Sequence, residues 1–184
     1  MDDHFFIALP LPKELKQHLK EQLRKAWNEK SFQKWVHEED YHITLVFLGA
    51  VSIDQRQEIV HKLREQSIHW PSITLRLDQM GTFGSTDIPR IYWVGVQENL
   101  DLRNVQKDIH TIVASTGVQV DGRPYTPHIT VARKWTEETN YEAKHVTLTD
   151  KPFTISHVDL FQSYPKLEPK YKPIHTFHLG RVDT

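Results

Sequence analysis

The sequence contains no cysteine. That excludes disulfides, a thiolate nucleophile and any Cys-ligated zinc or iron–sulfur centre. It also fits a reducing, cytoplasmic setting. Only seven glycines occur among 184 residues, and none forms a Walker loop, a G-x-G-x-x-G turn or a G-x-S-x-G elbow. Neither sign of charge dominates, with 23 Lys and Arg against 24 Asp and Glu. A protein that coats duplex nucleic acid wants a basic face and many phosphate contacts, so this balance leaves room for a partner offering one or two phosphates. Long apolar runs are missing as well. Stretches such as Ile91-Tyr92-Trp93-Val94 fall far short of the roughly 20 residues that span a bilayer, and no membrane partner is expected. The start, Met1-Asp2-Asp3-His4, is acidic and lacks the basic and apolar segments of a secretory signal.

What remains suits a single globular domain over residues 1–184, since 38% of the chain is hydrophobic and a chain of this length buries a real core. Phe5 to Leu9 reads as a buried strand, followed by a helix from about Lys13 to Glu29 with Leu15, Leu19 and Leu23 on one stripe. Tyr41 to Gly49 is a second strand. Ser52-Ile53-Asp54-Gln55 is a capping box opening a helix whose Ile59, Val60 and Leu63 point inward. Ile73, Leu75 and Leu77 mark one half-exposed strand, Phe83 to Pro89 a loop, and Arg90 to Val96 a strand. A third helix carries Leu102, Val105, Ile109 and Val113. Strands over Tyr125–Ala132, Phe153–Phe161 and about 171–179 complete an α+β chain.

The two halves of the chain match. Phe5-Phe6-Ile7-Ala8 and Ile91-Tyr92-Trp93-Val94 each precede an amphipathic helix, and each helix is followed by one pattern, His42-Ile43-Thr44-Leu45 or His128-Ile129-Thr130-Val131. Both pairs are 86 residues apart (91 less 5, 128 less 42). A shared offset points to duplication of a β-α-β unit. Side chains alternate along a strand, so each His and Thr share one face while the apolar residues anchor the other. If the units pack about a pseudo-twofold axis, two His and two Thr meet in one cleft.

Two facing imidazoles suit acid–base work, because one gives a proton while the other takes one near neutral pH. Thr44 and Thr130 supply hydroxyl donors for the oxygens of a phosphate. A phosphodiester needs one base and one acid, which is the set on offer. A metal site fits less well: there is no His-Glu-x-x-His, His175 and His178 face opposite ways on a strand, and Glu38-Glu39-Asp40 reads as a solvated acidic turn. No metal and no cofactor are expected.

Together these segments resemble the 2H phosphoesterase superfamily, and within it the bacterial RNA 2′,3′-cyclic phosphodiesterases once called 2′-5′ RNA ligases. The matching residues are Phe6-Ile7-Ala8-Leu9, His42 through Gly49, Pro89-Arg90 with Tyr92-Trp93-Val94-Gly95, Pro127 through Arg133, and the stretch from Ser163 to Tyr171. The resemblance implies two pseudo-symmetric lobes, each an antiparallel sheet with outer helices, and a groove between them. It implies hydrolysis of RNA 2′,3′-cyclic phosphate ends to a 2′-phosphate without metal, with His42 as proton donor, His128 as proton acceptor, and Thr44 and Thr130 on the phosphate. The implied partners are RNA ends or nucleotides bearing the cyclic phosphate, tRNA fragments among them, met by a cytoplasmic monomer. Arg133 matches an arginine of the family's second motif. Strict alternation turns it away from His128, so it joins the site only if the strand bulges. Arg90, Tyr92, Phe83 and Trp135 are candidates for base stacking or charge at the cleft, against the simpler reading of ordinary core and surface residues. Two rival readings are 2′-5′ end joining on the same site and a module that binds nucleotides or RNA ends without turnover.

Overall fold

Hydrophobic patterning and a few caps account for most of the elements. A computed structural model of the chain describes residues 3–136 and 139–180; Met1 and Asp2 of the acidic start lie outside the described residues. Strand β1 (His4–Pro10) buries Phe5 through Leu9 on both its faces. Helix α1 (Lys13–Ala26) buries Leu15, Leu19 and Leu23 at four-residue spacing. Short β2 (Phe32–Trp35) leads through a 3₁₀ turn (Glu38–Asp40) to β3 (His42–Gly49). Helix α2 (Ile53–Ser67) opens on the expected capping box of Ser52 and Gln55. Then come β4 (Ile73–Leu75), β5 (Leu77–Gly84) and β6 (Pro89–Val96). Helix α3 (Leu100–Ser115) is capped by Asn99 and packs against β3, and β7 (His128–Trp135), β8 (Phe153–Ile155), β9 (His157–Ser163) and β10 (Tyr171–His178) follow.

One antiparallel sheet runs in the order β10-β9-β1-β3-β7-β6-β5, with β2 paired to β7; β4 and β8 form a second, small sheet. The halves β10-β9-β1-β3 and β7-β6-β5 meet where Ile43 faces Ile129, the register pair between β3 and β7. Each motif histidine immediately precedes its isoleucine of that pair, so the fold places both motifs at the seam.

Several boundaries differ from the sequence pattern, for physical reasons. Helix α1 stops at Ala26 rather than Glu29 because Trp27 goes extended and turns its ring into a cluster with Phe32, Tyr92 and Trp135, donating its indole N–H to the Tyr92 hydroxyl at 3.0 Å. The strand expected through Ile73, Leu75 and Leu77 is two strands in different sheets. β5 then runs on through polar residues into the expected loop. Its Gly81 is required by packing, since a Cβ there would lie 2.3 Å from the Trp93 ring. β7 begins at His128, after Pro127, whose ring nitrogen has no hydrogen to donate to a ladder.

Candidate active site

Both motif strands carry the same irregularity. In β3 the register against β1 passes from Thr44↔Ala8 to Val46↔Ile7, leaving Leu45 extra. In β7 the register against β6 passes from Thr130↔Trp93 to Ala132↔Tyr92, leaving Val131 extra. Each bulge puts two consecutive residues into the core, so the next residue returns to the groove side. That residue is Phe47 on β3 and Arg133 on β7. Arg133 thus lies with His128, on the bulge its inclusion required. It is partly exposed, and its charge reaches both His42 and His128. Register also makes Trp93, not Val94, the counterpart of Ala8, so the flanking strands are offset by 85 (93 less 8) where the motifs are offset by 86.

The two imidazoles are held alike. His42 Nδ1 lies 2.7 Å from the carbonyl oxygen of Asp40, and His128 Nδ1 lies 2.7 Å from that of Thr126. A carbonyl only accepts, so each Nδ1 carries the hydrogen, and each Nε2 is left with its lone pair as an acceptor. His42 Nε2 accepts from the Thr44 hydroxyl at 3.0 Å. Aromatic walls enclose both rings. His42 sits among Phe6, Phe161 and Tyr171 at centroid distances of 4.9, 6.1 and 5.3 Å. Phe83 stands edge-on to His128 at 4.9 Å, with Trp93 at 6.1 Å.

Burial sets the protonation states. It pushes His42 down to about 4, with the charges of His128 and Arg133 adding in the same direction against the Asp40 carbonyl. His128 is lowered too, again by burial first and by Arg133 in part. Both rings are therefore neutral at pH 7 in the free protein. A bound anion between them opposes both shifts.

Asp40 corrects the sequence reading. The solvated acidic turn expected at Glu38-Glu39-Asp40 is half wrong, because Asp40 is buried. Its carboxylate oxygens accept the backbone N–H groups of Lys170 and Tyr171, each at 3.0 Å, while its own carbonyl holds His42. It ties the β9–β10 hairpin to the start of β3 and fixes the His42 ring. Tyr92 and Trp135 are core residues and do not reach the groove. Arg90 is exposed, Phe83 is at the site, and Thr130 has the same partly exposed setting as Thr44. Sequence reasoning missed Asp40, Phe6, Phe47, Phe161 and Tyr171. Only Phe47 left a usable signal, as the partner of Arg133 at the same offset. Among the described residues no three His, Asp or Glu side chains gather as metal ligands, and no helix is long and apolar enough to cross a membrane.

Comparison with known proteins bears on this groove. Residues 11–165 match the family described as the 2′-5′ RNA ligase superfamily. An RNA 2′,3′-cyclic phosphodiesterase of Bacillus subtilis is 34% identical over 181 residues, 96% of this chain and 97% of that protein. One of the same name from Geobacillus stearothermophilus is 35% identical over 179 residues; the match takes in 96% of this chain but spans only 57% of that relative's length. Among solved structures, E. coli LigT complexed with 3′-AMP superposes with a TM-score of 0.83 over 97% of this chain and 99% of that one. At 23% sequence identity that likeness concerns the fold.

Proposed function

The chain belongs to the 2′-5′ RNA ligase superfamily, and from that premise we propose that it is an RNA 2′,3′-cyclic phosphodiesterase, acting without metal through two histidines. The observation that carries the reading is the matched pair of imidazoles. Each has Nδ1 committed to a main-chain carbonyl, and they stand on strands that meet at Ile43 and Ile129.

In this reading one bilobal unit, built by duplication, holds the cyclic phosphate across its seam. His128 Nε2 takes a proton from water as the water oxygen bonds to phosphorus. The bond from phosphorus to the 3′ oxygen breaks, and His42 Nε2 delivers a proton to that oxygen. The products are a 2′-phosphate and a free 3′-hydroxyl. Thr44 and Thr130 donate to the non-bridging oxygens, and Arg133 offsets their charge. Thr44, which faces the His42 lone pair in the free protein, rotates to the phosphate as His42 gains its proton. The direction of proton flow follows the family resemblance. Because burial holds His42 neutral, its proton is retained only when the phosphate's negative charge lies beside it.

The test is a short RNA ending in 2′,3′-cyclic phosphate, incubated with the protein in excess EDTA, with products resolved by chromatography against authentic 2′-phosphate and 3′-phosphate ends. A 2′-phosphate with a free 3′-hydroxyl is expected. A 3′-phosphate product, or loss of turnover on chelation, would overturn the assignment.

A further inference from the structure

The groove does not end at the two histidines. Past Arg133 and Asp40 it opens into a cavity of about 400 Å³ between β2 and the β9–β10 hairpin. That volume is in the range of small-ligand sites, and the cavity shares two residues with the reacting centre.

Its walls have a definite chemistry. Lys34, Arg133, Lys166 and Lys170 line it, and none of the four forms an ion pair among the described residues. The ammonium of Lys170 lies over the Tyr171 ring. Two carboxylates, Asp40 and Glu168, share the wall with these four cations, which leaves positive charge in excess by two (four less two). In a chain of net charge −1, such a local excess of positive charge awaits an anion. Apolar surface lies beside it. Trp35 is fixed by its indole N–H, which donates to the Glu29 carbonyl at 2.9 Å, and Leu167 is 47% exposed across the cavity. Cations beside these apolar side chains suit one phosphate and one base.

The proposed reaction says which nucleotide this is. An RNA end closed as a 2′,3′-cyclic phosphate continues only through its 5′ oxygen, so any second nucleotide lies on the 5′ side. We propose that this cavity is a second nucleotide subsite that takes the internucleotide phosphate and base immediately 5′ of the cyclic phosphate, making RNA ends better substrates than free cyclic mononucleotides. This rests on the hydrolase reading given above.

The test compares kcat/KM for adenosine 2′,3′-cyclic phosphate, for a diadenosine ending in the cyclic phosphate, and for the same dinucleotide with an uncharged methylphosphonate linkage. Each is measured with wild type and with the Lys34→Gln/Lys166→Gln double variant, whose changed side chains are exposed. Wild type is expected to favour the charged dinucleotide by about tenfold or more. That preference should fall away with the methylphosphonate and in the variant, while the mononucleotide rate stays unchanged. Equal rates for all three substrates in wild type, or a preference undiminished both by the uncharged linkage and in the variant, would overturn the subsite and leave the hydrolase reading intact. No turnover of any of the three would remove the hydrolase reading and this proposal with it.

Discussion

At the scale of single residues, the pair His42 and His128 is alike in the hydrogen bond at Nδ1 and unlike in burial. Burial lowers both from the ordinary imidazole value, His42 to about 4. A reaction needing one protonated and one neutral histidine is fastest midway between their two pKa values. Both lie under 6.5 in the free protein, so kcat/KM should be bell-shaped with its maximum on the acid side of pH 6.5. It falls at lower pH as the base gains a proton, and at higher pH as the acid loses one. The profile of kcat should sit at higher pH, because the bound phosphate favours the charged imidazole. A kcat/KM that climbs to a plateau through pH 9 would contradict this. Asp40 gives a second prediction. Asp40→Asn puts an amide donor against one of two backbone N–H groups that now share a carboxylate. Hydrogen bonds to a buried charge are worth about 1.5–3 kcal/mol each, so Tm should fall by several degrees and kcat should fall more than KM rises. Asp40 was not legible in the sequence, because its partners lie about 130 residues further along the chain and nothing in Glu38-Glu39-Asp40 marks one carboxylate as buried.

At the scale of elements, the bulges in β3 and β7 decide which side chains face the groove. Strict alternation sends Arg133 to the wrong side, and one extra residue in the strand brings it back. The cue was present in Leu45-Val46 and Val131-Ala132, adjacent apolar pairs at the motif offset that break the period of two. The motifs themselves were legible because a buried strand with polar residues at every second position has few alternative readings. The helices were legible for the same reason, apart from the end of α1, which tertiary packing of Trp27 decided. β2 and β5 were not legible. Four residues carry too little pattern, and β5 is polar where Gly81 makes room for Trp93. That close approach is testable. Gly81→Ala would force the Trp93 ring to move, and overpacking of this kind costs about 1–3 kcal/mol. Because Trp93 borders His128, thermal melts should show destabilisation, and kcat/KM should fall with it. A variant with unchanged Tm and activity would show that the ring does not brace the histidine.

At the scale of the whole molecule, each half of the chain supplies one histidine, one threonine and one groove residue beyond its bulge, and the sheet joins the halves through the register pair Ile43 and Ile129. The asymmetry that remains is chemical: Phe47, 64% exposed, stands on one side and Arg133 on the other. A site assembled in this way works as a unit, so its two histidines should not contribute independently. The most direct measurement is therefore kcat on a cyclic-phosphate RNA for His42→Ala, His128→Ala and the double variant, each checked for wild-type folding. Each single change is expected to lower kcat by about 10²–10⁴-fold, and the double variant should be little worse than the poorer single one. Full activity in either single variant, or losses that multiply in the double one, would contradict a concerted two-histidine site.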